Sequence, residues 1–307
     1  MEKLKLLLRL ARLHFLVFGF MIYLMGYLLA VSNSAPFDVT KFVFGYAIFG
    51  CAQLSVSFSN DYFDRKSDAI SVRTTFSGGS KVLVEHPDLE LLALTLGITL
   101  LAASAIAAAI FAFIYAYSFW FLVFAILGGL LGWFYTAPPL KLAYRKLGEV
   151  ATVLAVGLMM PGMGYFVAYG HIDLFFAIFV LPLSCYGLLF ILTVEMPDID
   201  ADRVGKKTNA LVKWGVETGV GISFCSALVG TLSFAVVYFS GILTEILDVG
   251  PLAMLSVLPL VGAASGYHTA LDRRQGLTRQ VNVNMTAMVL FVLLLDCYIL
   301  AQVVILG

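Results

Sequence analysis

The chain has 307 residues, 61% of them hydrophobic and 12% charged, with a mean hydropathy of +0.96. A soluble domain of this length does not need so much apolar surface, so the composition indicates a polytopic membrane protein. The 19 basic and 19 acidic residues cancel, and no region concentrates the basic ones, which excludes the electrostatic footprint of a nucleic-acid-binding protein.

A span needs ~20 apolar residues. Runs of that order fall at 13–31, 42–59, 89–114, 118–136, 150–169, 173–194, 216–240, 249–268 and 286–306, which predicts nine transmembrane helices. The basic arm and first run have the outline of a signal peptide, but the run is long for one and reads as helix one. Every Lys and Arg except Lys41 lies in the N-terminal arm or in the loops after helices two, four, six and eight. The positive-inside rule then places the N-terminus and the long charged loops in the cytoplasm and supports an odd number of spans in the cell membrane. The expected fold is all-α: a single domain over 1–307 with a central cavity open toward the cytoplasmic side. It would comprise two four-helix halves, 13–136 and 150–268, and a ninth helix at 286–306. Pro161 and Pro182 fall inside helices five and six and are expected to kink them. Glycines such as Gly128, Gly129, Gly132, Gly157, Gly162 and Gly164 suit close helix approach. Cys51, Cys185, Cys225 and Cys297 lie in apolar runs without a CxxC pair and read as small core hydrophobes.

At the end of the second run stands Asn60-Asp61-Tyr62-Phe63-Asp64-Arg65-Lys66-Ser67-Asp68. On a helix Asp61, Asp64 and Asp68 fall at i, i+3 and i+7, on one face over two turns, with Asn60 beside Asp64. One carboxylate facing lipid at mid-membrane costs ~3 kcal/mol, so three must line a wet cavity or bind cations. After the sixth run, Glu195, Asp198 and Asp202 repeat the spacing. Pro197 suits a helix first turn, which assigns Glu195 to the preceding helix, while Asp198 and Asp202 still share a face and Asp200 points away as a solvated acid.

Both clusters fall on the same side of the membrane. Two facing sets of carboxylates suit a hard cation such as Mg²⁺, which prefers oxygen ligands and typically bridges carboxylates to substrate phosphates. That chemistry points to a diphosphate. Basic residues follow each cluster: Arg73 and Lys81 after the first, and Arg203, Lys206 and Lys207 after the second. Phosphate recognition would use such groups, although loop Lys and Arg also accumulate simply to set topology. Between the clusters, Tyr135-Thr136-Ala137-Pro138-Pro139-Leu140-Lys141-Leu142 ends helix four in a stiff turn carrying a tyrosine and a lysine.

Together the stretches NDYFDRKSD at 60–68, YTAPPLKL at 135–142 and DIDAD at 198–202 resemble, in order and spacing, the signatures of the UbiA superfamily of intramembrane prenyltransferases. The resemblance implies Mg²⁺-dependent transfer of a prenyl chain from a polyprenyl diphosphate through an allylic carbocation. It implies a metal site at Asn60, Asp61, Asp64, Asp68, Asp198 and Asp202. By the same likeness Asp64, Asp198, Tyr135 and Lys141 are expected to carry catalysis, and Asn60, Arg73, Lys81, Lys141, Lys206 and Lys207 to hold the diphosphate. Residues 76–84 and Gly205-Lys206-Lys207-Thr208 are similar to stretches of the menaquinone-type branch, which implies an aromatic acceptor. The arginine-proline pair of other branches is missing, since Thr74 follows Arg73.

A glycerophosphate ether-lipid acceptor is the alternative. A cation-coupled transporter is a further one, with Asp296 as its only deep carboxylate; a hydrogen bond between helices is the commoner use of such a group. Glu195 reads as an extra ligand or an acceptor-side base. His14, His86, His171 and His268 form no metal-binding spacing.

Overall fold

A computed structural model describes residues 2–71, 76, 78–269 and 274–306. Every regular element among the described residues is helical: α1 (Glu2–Leu10), α2 (Leu13–Ser32), α3 (Val39–Asp68), α4 (Val82–Glu85), α5 (Glu90–Ile114), α6 (Phe119–Trp133), α7 (Gly148–Leu154), α8 (Met160–Tyr169), α9 (Leu174–Glu195), α10 (Ile199–Val204), α11 (Ala210–Ser240), α12 (Gly250–Leu255), α13 (Val257–Thr269) and α14 (Arg274–Leu306). Seven of the nine expected runs form helices long and apolar enough to cross a membrane, with α7 and α8 counted as one. The runs at 118–136 and 249–268 form shorter apolar helices. The first stops at Trp133, just ahead of the Pro138–Pro139 pair, which cannot continue a helix. The second is divided at Ser256, whose carbonyl accepts the Thr231 hydroxyl at 2.9 Å.

Side-chain caps set several starts. Asp38 accepts the N–H groups of Thr40 and Lys41 ahead of α3, Asp173 that of Phe176 in α9, and Asn209 that of Val212 in α11. The α3 helix packs along α5, α2 along α8, and α9 along α11. A Cβ on Gly26 would strike the Pro161 carbonyl and one on Gly164 the Tyr23 carbonyl, so α2 and α8 meet backbone to backbone. Pro161 offers no N–H, and the preceding Ala155–Met159 segment takes a π-helical turn that joins α7 to α8. Pro182 lies inside a continuous α9.

At the end carrying Lys41, Asp173 accepts hydrogen bonds from Asn33 at 2.9 Å and Tyr165 at 2.8 Å, tying three helices through a satisfied polar cluster. Two cysteine expectations need correction. Cys51 and Cys185 are half-buried, but Cys225 and Cys297 are exposed on the outer faces of α11 and α14, where an apolar setting accommodates a thiol as well as a core does. Asp296 is buried as expected, yet neither of its oxygens has a hydrogen-bond partner, so the anticipated interhelical bond is not formed.

Candidate active site

The α3 helix continues without a break through its acids, so the carboxylates sit on the same rigid rod that crosses the bundle. Asp61, Asp64 and Asp68 are all buried. A cavity of about 340 Å³ runs along this helix. The α3 positions that face it include Gln53, Ser57, Asn60, Asp64 and Asp68, a stripe with helical periodicity. Asp61 lies one step off the stripe. Its carboxylate is taken by the Arg12 guanidinium and the Ser80 hydroxyl. Arg12, read from sequence only as part of the topology signal, is therefore a brace for the first cluster.

The second cluster forms where α9 ends. Pro197 lies in a 3₁₀ turn over Met196–Asp198 that leads into α10, and Glu195 is the last residue of α9, as the position of Pro197 suggested. Glu195, Asp198 and Asp202 all line the cavity. Asp200 points away, its side chain 71% exposed and 3.9 Å from Arg203.

The two clusters face one another across Lys207. Its ammonium is 2.9 Å from Asp64 and 3.5 Å from Asp202, so one cation spans both walls. Burial alone would lower the Lys207 pKa, but Asp64, Asp202 and Tyr144 hold it well above the ordinary 10.5, and it stays charged. Asp64 also accepts the Tyr144 hydroxyl at 2.7 Å, and burial followed by the Asp64 charge raises that phenol so that it remains a donor. Asn209 donates to Asp202 at 2.8 Å, and Thr136 donates to Asn60 at 2.7 Å.

Gly78 and Gly79 lie against the acids and line the cavity. Gly78 donates its N–H to Asp198 at 3.0 Å, connecting the two walls through backbone. Gly78 and Gly79 have φ of 82° and 67°, and a Cβ on Gly79 would land on the Asp68 carboxylate. Only glycine lets the chain approach the acids this closely.

The basic residues separate by placement. Lys81 donates to the Asp68 and Ser71 carbonyls and so closes the C-terminal end of α3, away from the cavity lining. Lys141 and Lys206 are exposed and outside the lining, the former 5.7 Å from the Tyr144 ring. Arg73 and Arg273 lie outside the described residues. Tyr135 lines the cavity, and burial, with Glu195 next, pushes its phenol up. The structure thus brings together Asn60, Asp64, Asp68, Tyr135, Asp198, Asp202 and Lys207 around one space.

Sequence reasoning did not single out Arg12, Ser80, Tyr144, Thr136 or Asn209 as part of the site. Tyr144 meets Asp64 from 80 positions away and Arg12 meets Asp61 from 49, and no local pattern encodes either pairing.

Beyond the acids the cavity becomes apolar. Phe15, Phe18 and Phe190 line it, with Phe18 and Phe190 stacked at 5.6 Å. It continues to Ile48, sixteen helical steps before Asp64, about 24 Å at 1.5 Å per residue. Among the described residues no three His, Cys, Asp or Glu side chains form a metal cage by themselves. A polar, acid-lined mouth on a long aromatic tunnel suits an amphiphile with a charged head and an apolar tail.

Comparison with known proteins accords with this geometry. The chain is 25% identical over 242 residues to the 1,4-dihydroxy-2-naphthoate octaprenyltransferase of Bacillus subtilis (strain 168), covering 76% of this chain and 74% of that protein. Its fold resembles that of a UbiA homolog from Archaeoglobus fulgidus bound to GPP and Mg²⁺, with a TM-score of 0.69 at 16% identity over 97% of this chain and 99% of the other. A digeranylgeranylglyceryl phosphate synthase structure gives a TM-score of 0.65 at 15% identity, covering 97% and 99%. Residues 19–280 match the UbiA prenyltransferase family, and the chain therefore belongs to that family of membrane enzymes that transfer prenyl groups.

Proposed function

We propose that the protein transfers a prenyl chain from a polyprenyl diphosphate to an aromatic acceptor of the quinone-precursor type, at a site facing the cytoplasm. The observation that carries this reading is the acid-lined mouth opening onto the aromatic tunnel in one continuous cavity. The headgroup of the donor belongs at the acids and its chain in the tunnel.

The donor set fits Mg²⁺. Asp64, Asp68, Asp198 and Asp202 line the mouth with carboxylate oxygens, Asp198 keeps a buried Oδ1 without a partner, and Asn60 stands beside them with its Oδ1 accepting from Thr136. Mg²⁺ is usually held by one or two carboxylates plus substrate phosphates, so a site completed by the diphosphate needs no protein-only cage. Asp64, Asp68, Asp198 and Asp202 would hold it, with Asn60 supporting; Asp61, committed to Arg12 and Ser80, steadies the wall. When bound, Mg²⁺ supplies Lewis-acid neutralisation of the diphosphate.

The chain's own residues do the rest. Lys207 stands at the mouth as a fixed positive charge that can pass from the carboxylates to a phosphate oxygen. Tyr144 orients Asp64, and Gly78 orients Asp198. Phe15, Phe18 and Phe190 exclude water from the reacting carbon and offer ring faces to an allylic cation. Tyr135 lines the cavity with Glu195, Lys207 and Asp64 as its charged neighbours. Lys141 and Lys206 would contact the diphosphate from outside the cavity lining, and Arg73 is proposed for the same role from its place in the sequence alone. An aromatic acceptor is favoured by the likeness to the naphthoate octaprenyltransferase over most of both chains; the shared fold of the glyceryl phosphate synthase keeps a glycerophosphate acceptor as the second reading.

The test is transfer by purified protein in lipid nanodiscs, with Mg²⁺, labelled geranylgeranyl diphosphate and each acceptor in turn. Product with 1,4-dihydroxy-2-naphthoate supports the reading, and product with the glycerol lipid alone defeats it.

A further inference from the structure

The acids around the cavity differ in what they are bonded to. Asp64 has Tyr144 and Lys207, Asp202 has Lys207 and Asn209, and Asp198 has the Gly78 amide. Glu149, another acid near this wall, accepts the Ala210 N–H and so caps α11. Two carboxyl oxygens on the second wall are left over, Oδ1 of Asp198, assigned above to the metal, and Oε2 of Glu195. Glu195 is 9% exposed, it lines the cavity, and its Oε2 has no hydrogen-bond partner.

A buried carboxyl oxygen without a donor is unfavourable, and the group settles either by holding a proton or by pairing with a ligand; in both cases it is poised to exchange a proton with a hydroxyl brought into the cavity. Of the reactants in the proposed transfer, the diphosphate presents acceptor oxygens that repel Glu195 and the prenyl chain presents no polar group. Only the acceptor brings a hydroxyl. The place agrees: Glu195 ends α9 three residues before Asp198, and Phe190, a turn and a half further back on the same helix, lines the tunnel. Between the headgroup and the apolar chain is where the reacting carbon must lie.

We propose that Glu195 is a catalytic base that receives the hydroxyl proton of an aromatic acceptor as its ring is prenylated, an inference that rests on the prenyl-transfer reading above. The C1–O bond of the donor breaks and its electron pair leaves with the diphosphate. The acceptor's ring carbon forms the new bond to C1 while the hydroxyl proton passes to Glu195, leaving a dienone. The proton on that ring carbon then passes to the departing diphosphate, and Glu195 returns its proton to the oxygen, which restores the aromatic ring and the carboxylate.

The experiment compares full-length wild type, Glu195→Gln and Glu195→Asp in nanodiscs with Mg²⁺, geranylgeranyl diphosphate and 1,4-dihydroxy-2-naphthoate. Binding of the unreactive geranylgeranyl thiolodiphosphate is measured alongside. Glu195→Gln is expected to lower kcat by about 10²–10³-fold, the range of general-base catalysis. Its affinity for the thiolodiphosphate and its Mg²⁺ dependence should stay within about twofold of wild type, and Glu195→Asp should recover part of the rate. Wild-type turnover by Glu195→Gln overturns the inference alone. So does a loss of thiolodiphosphate affinity in step with the loss of rate, which would make Glu195 part of the headgroup site. A wild-type protein that binds the donor analogue and prenylates no acceptor overturns the prenyl-transfer reading itself.

Discussion

The two acid-bearing walls of the cavity are built differently. The first is one unbroken helix, α3, and two of its acids are braced by distant side chains: Asp61 by Arg12 and Ser80, Asp64 by Tyr144 and Lys207. The second is a corner, where α9 gives way to a 3₁₀ turn and then α10, and it leaves oxygens of Glu195 and Asp198 buried without partners. Buried polar groups in folded proteins are nearly always satisfied, so unsatisfied carboxylate oxygens that also line a cavity mark where a ligand can complete the structure. The first wall is thus a fixed reference against which a ligand is positioned. The second supplies the free valences that the ligand fills.

Substitutions can break this contrast. The largest effect is expected at the acids facing the cavity from each wall: Asp64→Ala and Asp198→Ala should each lower turnover on the order of 10³-fold, measured as labelled prenyl product. If Asp198→Ala were mild while Asp64→Ala abolished activity, the walls would not act on one ligand. Next comes the cation between them. Lys207→Met leaves Asp64 and Asp202 facing each other uncompensated and should destabilise the protein by ~3 kcal/mol in chelator. Mg²⁺ with a prenyl diphosphate should recover more thermal stability in this variant than in wild type, because the added cation replaces the lost charge.

Smaller effects probe the braces. Tyr144→Phe removes one hydrogen bond to a charged acceptor, worth about 1.5 kcal/mol, and should lower turnover roughly tenfold with little change in melting temperature. Arg12→Gln should mainly lower the melting temperature, since Asp61 lies off the cavity stripe and Arg12 is its ion-pair partner. The smallest effect belongs to Asp200→Ala, expected to stay within about twofold of wild type because its carboxylate is solvated. Equal losses at Asp200 and Asp198 would show that the second wall's facing is misassigned.

Much of this organisation was legible in the residues alone. The apolar runs placed the helices, because span length is a property of consecutive residues and does not depend on partners. The facing of Asp198, Asp202 and Asp200 followed from helical spacing and from Pro197, both local constraints. The spacing of Asp61, Asp64 and Asp68 located the first wall, but the cavity reads Asn60, Asp64 and Asp68, an i, i+4, i+8 row that local spacing could not select. Which side of a helix meets a cavity depends on how its neighbours pack.

The two halves of the answer therefore separate by range. The sequence by itself determined that this is a membrane protein of helices with two acid clusters of matching spacing, since hydropathy and helical period act between near neighbours. Only the tertiary structure decided that Lys207 spans the clusters, that Arg12, Ser80 and Tyr144 hold the first, that Lys81 is committed to the end of α3, and that Glu195 is left facing the cavity without a partner. Apart from Lys207 with Asp202 and Lys81 with the end of α3, those pairings join residues 19 to 143 positions apart, and the competition among buried charges for too few donors is settled only when the whole bundle closes.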